Sequence, residues 1–272
     1  MARIILFITT IFCLSAMQIF AGTYSGGSGT SGDPYQIATT DDLIQLSNTS
    51  GDWSSGTYFI QTASITFDSD ETQVDWDGDG SLEWPGDDEA GFSPIGNSID
   101  EFEGSYDGDD YTISNLYIDR SSDDYIGLFG DTDGAEISDI GIINCDITGD
   151  DYVGGLVGYN NNSSTVSNSY STGDIAGDFY VGGLVGWNET STVSNSFSKG
   201  IVSGTGDRVG GLVGYNYFSS TVSNSYSTGD VTRSSGTFTS FGGFCGSNGS
   251  ADIEYCYSTG DVNVGVLTDK GF

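Results

Sequence analysis

Small apolar residues, glycines and short polar runs return in the same order through the second half of the chain. Val153-Gly154-Gly155-Leu156-Val157-Gly158 recurs at Val181–Gly186 and Val209–Gly214, each copy 28 residues after the last. Looser copies flank them, Ile-Gly-Leu-Phe-Gly at Ile126–Gly130 and Phe-Gly-Gly-Phe-Cys-Gly at Phe241–Gly246. Between the glycine-rich segments the pattern alternates. In Thr165-Val166-Ser167-Asn168-Ser169-Tyr170-Ser171, strict alternation predicts a strand with Val166, Asn168 and Tyr170 facing inward and the serines outward. The next units offer Val193, Asn195 and Phe197, then Val222, Asn224 and Tyr226. Stacked unit on unit, these form valine, asparagine and aromatic ladders, and asparagines in register can bond to one another.

Units so rich in Gly, Ser, Asn, Thr and β-branched residues are poor helix formers. No single unit can bury its own apolar face, so the repeat is read as a stack. The predicted fold is all-β, a right-handed parallel β-helix (β-solenoid) with about one coil per unit. A β-propeller is the alternative, but its blades need ~40 residues. The glycines of the repeat are expected to permit close backbone approach or positive φ at the turns.

Upstream, Thr39–Leu46 reads as a short helix with a Thr cap, two acids in its first turn and Leu43 and Leu46 inward. Tyr58–Ile60 and Ile65–Phe67 read as strands. The first residues differ again: Arg3, an apolar run from Ile4 to Leu14 and small residues at Ala21-Gly22 predict a secretory signal peptide, an uncleaved anchor being the rival reading. The expected layout is a signal peptide over 1–21, an acidic N-terminal cap and first coils over 22–100, β-helix over 101–264 and a tail over 265–272. That tail is expected either to fold over the last coil or to mark a piece of something longer.

Charge narrows the partners. The chain has 39 acids, 6 bases and no histidine. Such a molecule repels nucleic acid and anionic lipid, and no membrane insertion is expected after signal cleavage. Without histidine there is no Ser-His-Asp or Cys-His catalysis and no His-ligated zinc. Cys145, Cys245 and Cys256 are too few to build a disulfide scaffold; a Cys245–Cys256 bridge is one option, leaving Cys145 as the free thiol.

The sharpest local signal is Asp75–Asp88, DWDGDGSLEWPGDD. Asp75, Asp77, Asp79, Ser81 and Glu83 fall at calcium-loop positions one, three, five, seven and nine, with Gly80 at the sharp turn. A structural Ca2+ is the expectation, although the twelfth position is Gly86 rather than Glu and a solvated acidic loop is the plain alternative. Asp107 with Asp109 or Asp110, and Asp123 with Asp124, could pair as glycosidase-type carboxylates, but Asp beside Gly or Ser is first a turn residue. Tyr159, Trp187 and Tyr215 follow the three glycine segments at equivalent places and are candidates for sugar contact or for packing. Thr165, Thr192 and Thr221 form a short hydroxyl file of the kind seen in ice-binding solenoids.

At Gly155-Leu156-Val157-Gly158 and its copies the chain resembles proteins carrying the GLUG motif, over five units from Ile126 to Val262. Phe102–Leu116 resembles that family's lead-in coil, and Gly29–Leu46 the opening of many exported bacterial proteins of this type. The resemblance implies a bacterial extracellular β-solenoid of the kind found in surface proteins and adhesins and attached to IgA-cleaving metallopeptidases. Their peptidase activity needs a histidine helix motif that this chain lacks, and the motif itself transfers no catalytic residue. The expected function is therefore non-catalytic: a secreted or cell-surface, adhesin-like module binding a glycan or a host or neighbouring surface protein, with end-to-end contact or a larger polypeptide allowed. A carbohydrate-active β-helix enzyme, polysaccharide lyase or glycosidase, is the alternative.

Overall fold

A computed structural model describes residues 24–67, 90–236 and 240–263. The repeat does what its composition requires. Every strand pairs with its counterpart one coil away, always parallel and nearly always residue on equivalent residue. One long wall is an eight-stranded sheet of Tyr35–Ile37, Tyr58–Gln61, Ser105–Asp107, Glu136–Ser138, Thr165–Ser167, Thr192–Ser194, Thr221–Ser223 and Asp252–Glu254. A five-stranded wall stacks Phe129–Asp133, Val157–Asn161, Val185–Glu189, Val213–Tyr217 and Cys245–Gly249. An eleven-stranded sheet and a short four-stranded one close the coil. The protein is a parallel β-solenoid.

The interior is a set of ladders. Phe59, Tyr106, Ile137, Val166, Val193 and Val222 lie in register and are buried, as do Phe129, Val157, Val185, Val213 and Cys245. Burying such side chains contributes roughly 1.5–3 kcal/mol each, which is the cohesion that a lone unit cannot reach. Leu156, Leu184 and Leu212 fill the next position, also fully buried. The glycines beside them are close-approach positions rather than positive-φ ones. A Cβ on Gly154 would lie 2.2 Å from the Val157 carbonyl oxygen, and one on Gly158 2.6 Å from that of Tyr152.

The helix and strands read upstream are present. The helix spans Thr40–Asn48; Thr39 caps it through the Asp42 amide, and Asp42 reciprocates. Leu43 and Leu46 are fully buried against the first coil. The preceding and following strands join the long wall, so this region continues the solenoid and closes its open edge.

One expectation fails. The strand does not run on through Asn168: that residue turns left-handed at φ 50°, as do Asn195 at 51° and Asn224 at 50°. Each corner reverses the alternation. Asn168, Asn195 and Asn224 are exposed, Ser169, Ser196 and Ser225 are buried, and Tyr170, Phe197 and Tyr226 stack on the outside. Their rings lie 4.7 Å and 4.9 Å apart and almost parallel. A buried asparagine ladder exists, but at Asn160, Asn188 and Asn216, continued by the exposed Asn248, each Nδ2 donating to the next Oδ1 at 2.8 Å.

Candidate functional site

Before four of the five glycine-rich segments, the preceding residue turns the chain into the next wall. Tyr125, Tyr152, Tyr180 and Arg208 occupy this corner at φ 64°, 58°, 57° and 65°. Bulky residues avoid this region, at a cost of about 1–3 kcal/mol each. Glycine or asparagine would be easier, so the corner carries these side chains for what they place outside. Tyr125, Tyr152 and Tyr180 stack at 4.8 Å and 4.9 Å, within 8° of parallel. Arg208 ends the column, its guanidinium 5.1 Å from the Tyr180 ring and 4.8 Å from the Tyr215 ring.

A second file runs beside it on the five-stranded wall: Asp131, Tyr159, Trp187, Tyr215 and Ser247 in register. The sequence reading placed Tyr159, Trp187 and Tyr215 together, and the structure does so, with successive rings 5.3 Å apart. Trp187 wedges between columns, 4.7 Å from Tyr180 and 5.4 Å from Tyr152. Tyr217 and Phe218 extend the surface, and Phe218 is 55% exposed. The Tyr159 hydroxyl donates to Glu189, and the Trp187 Nε1 is buried with no protein acceptor. Because the rings of the first column stack on one another, its inner members turn edges and hydroxyls outward while their faces are covered.

Asp131 takes the aromatic position at the foot of the second file. It is 5% exposed, and its Oδ1 has no hydrogen-bond partner. Burial pushes its carboxyl up to about 7, and the nearby charges of Glu101 and Asp133 add to this, opposed only by the Thr132 amide. Burial also raises the Tyr125 and Tyr159 hydroxyls. Beside the foot lies a cleft of about 290 Å³ lined by Trp53, Pro94, Asn97, Arg120, Asp123, Asp124 and Tyr125, among others.

The remaining sequence candidates fall elsewhere. Asp75, Asp77, Asp79, Ser81 and Glu83 lie outside the described residues. Asp107 accepts the Asp109 amide at 2.9 Å, and Asp109 and Asp110 are left-handed, so this trio forms a turn. Asp123 and Asp124 sit on the cleft. Thr165, Thr192 and Thr221 align outward on the long wall. Asp150, Asp151 and Asp178 bring one oxygen each within 4.8 Å of one another. Two of the three already serve as turn acceptors, Asp151 for the Phe179 amide and Asp178 for the Thr205 hydroxyl. Cys145, Cys245 and Cys256 are free thiols, and burial raises the first two to about 12. Cys256 replaces a buried serine of the file, its Sγ donating to the Glu254 carbonyl at 3.2 Å. The first column was missed by sequence reasoning, although an aromatic or Arg stands before four of the five glycine segments, at Tyr125, Tyr152, Tyr180 and Arg208.

A family model described as the GLUG motif matches residues 149–176, 177–203, 205–232 and 239–263. The Ile126–Gly130 unit lies outside those matches yet packs as a fifth rung, Phe129 beside Val157. Among curated relatives, Halomucin of Haloquadratum walsbyi is 36% identical over 151 residues, 54% of this chain and 2% of the relative. A protein described as a Gly-rich membrane protein of Evansella cellulosilytica is 33% identical over 152 residues, 53% of this chain and 15% of the relative. The chain therefore spans a small fraction of the length of these curated relatives. A crystal structure assigned as an immunoglobulin A1 protease from Bacteroides ovatus covers 92% of this chain and 83% of its own, with TM-score 0.53 and 21% identity. A second solved structure, an IgA1 protease, covers 85% of this chain and 20% of its own, with TM-score 0.52 and 18% identity.

These neighbours establish the fold and correct one expectation. The chain was expected not to be an enzyme; both solved structures that share its solenoid are described as proteases. The absence of histidine removes imidazole chemistry only, leaves carboxylates untouched, and does not separate this solenoid from those of enzymes. Among the described residues no helix is long and apolar enough to cross a membrane.

Proposed function

This chain is a GLUG-motif repeat protein, and from that premise we propose that it is a secreted or cell-surface solenoid module that binds a glycan along its aromatic face. One observation carries the reading: the corner before four of the five repeats holds Tyr125, Tyr152, Tyr180 and Arg208 in a conformation that costs bulky residues energy, and their side chains form one continuous surface with Tyr159, Trp187 and Tyr215. Rigid tyrosines give large contact area at low entropic cost. A row of phenol hydroxyls beside the Glu189 carboxylate and the Arg208 guanidinium suits a ligand rich in hydroxyls. The apolar run over Ile4–Leu14, read as a signal peptide, and the similarity to a Gly-rich membrane protein support a surface location.

A glycan array probed with the wild type and with Trp187→Ala/Tyr215→Ala tests the proposal. Retention of particular glycans, weakened at least tenfold by the double variant while the melting curve keeps its shape, is the expected result. Equal retention by both proteins would sink it.

A further inference from the structure

We propose that the cleft beside Tyr125 is the subsite for the terminal ring of an uncharged glycan; this rests on the glycan-binding reading above. The first column determines where a ring can stack. Tyr152 lies between Tyr125 and Tyr180, and Tyr180 is capped by Arg208, so these inner rings are covered on both sides. Among the described residues, Tyr125 stacks against one ring, Tyr152, at 4.8 Å. Tyr125 also lines the cleft, which at about 290 Å³ sits just below the roughly 300–1,000 Å³ typical of ligand pockets. That is room for one or two rings rather than a chain.

The walls supply polar groups with spare capacity. Asn97 uses its Oδ1 to hold the Ile99 and Asp100 amides at 3.0 Å and 3.2 Å, which leaves its exposed Nδ2 to donate. Asp123 is bound only loosely to Arg120, at 3.8 Å, and its side chain is 56% exposed. Asp124 gives one oxygen to the Asp151 amide at 3.2 Å and keeps the other. Carboxylates and an amide around one aromatic face present acceptors and a donor to vicinal hydroxyls.

Charge sets the class. Arg120 is spent on the carbonyls of Phe92 and Gly91, at 3.3 Å and 3.2 Å, and on Asp123. Asp123, Asp124 and Asp151 stand around the ring, and Glu101 and Asp133 flank the Asp131 carboxyl next to it. A uronate or other anionic sugar meets net repulsion here, and an uncharged one does not.

The test measures binding of cellohexaose, mannohexaose, chitohexaose and hexagalacturonate by calorimetry at constant ionic strength. An uncharged hexasaccharide should bind the wild type, with hexagalacturonate at least tenfold weaker. Tyr125→Ala should weaken the uncharged probe about tenfold or more, and Tyr125→Phe, which keeps the ring, should restore it. The exposed substitutions Asn97→Asp, which keeps the acceptor for the Ile99 and Asp100 amides and removes the Nδ2 donor, and Asp123→Asn should each weaken it severalfold without moving the melting temperature, which covers the case of a misfolded Tyr125→Ala. Binding lost in Trp187→Ala/Tyr215→Ala but unchanged in Tyr125→Ala and Asn97→Asp would overturn the subsite and leave the glycan-binding face standing. Tighter binding of hexagalacturonate would overturn the ligand class. No binding of any probe would remove both readings.

Discussion

Each coil turns through several left-handed corners, and two of them hold very different occupants. At one, Asn168, Asn195 and Asn224 adopt φ near 50°, a conformation asparagine enters cheaply because its short amide bonds locally. At the other, Tyr152, Tyr180 and Arg208 adopt φ of 57–65°, where each costs about 1–3 kcal/mol. The first corner is a folding solution, with the least expensive residue available in place. The second holds costly residues, and they form the outer aromatic column. A solenoid repeats its errors as faithfully as its successes, so a strained corner retained in coil after coil points to a surface that the strain supports.

The comparison can be broken first from the inside. Asn188 is fully buried, accepts from Asn160 and donates to Asn216, both at 2.8 Å. Asn188→Ala leaves one donor and one acceptor orphaned in neighbouring coils, at about 1–3 kcal/mol each. Chemical denaturation should report a loss of about 4 kcal/mol, far above any single change on the outer aromatic column.

Asp131 gives the next effect. Its folded carboxyl titrates near 7 against an ordinary 3.8, so the folded state holds the proton more tightly than the unfolded one. That stabilisation is complete below about pH 4 and is lost as pH rises through about 7, at most about 1.4 kcal/mol per unit. Asp131→Asn should flatten the stability profile between pH 4 and pH 8 and make the variant the more stable protein at pH 8. Parallel profiles for variant and wild type would show that this carboxyl is not the one titrating.

Ser225 and Tyr226 give a smaller and more pointed contrast. Ser225 is buried, donates to the Ser223 carbonyl at 2.7 Å and accepts the Ser196 amide at 3.1 Å. Ser225→Ala orphans that amide and should cost about 2 kcal/mol. Tyr226→Ser removes a half-exposed ring from an outer stack and should cost about 1 kcal/mol. Thermal melts that reversed this order would restore the register expected from simple alternation.

That register shows how far the sequence carries. The period, the parallel stacking, the valine ladder and the capped helix at Thr39 were legible because each follows from spacing or local chemistry. The inner and outer faces beyond Asn168 were not, since alternation assumes an unbroken strand and one left-handed residue inverts every assignment after it. Asparagine is the residue most prone to do so, and its recurrence at Asn168, Asn195 and Asn224 was the available signal. The file of Tyr159, Trp187 and Tyr215 was legible from the repeat. Its partner column was not, because Arg208 and Phe179-Tyr180 blur the pattern and nothing in the residue types announces a strained corner. Asp131 is the clearest case: only the register with Tyr159 reveals that a carboxyl occupies an aromatic place.

The central claim is that the aromatic corner serves the surface rather than the fold, and Tyr152→Gly/Tyr180→Gly tests it most directly. Glycine accepts the left-handed corner without strain, offsetting the lost stacking. Denaturation and glycan retention are measured on the same preparation. The account predicts stability within about 1 kcal/mol of wild type and glycan retention weakened at least tenfold. A loss of several kcal/mol with retention unchanged would show that the tyrosines are packing and that the face is not a binding site.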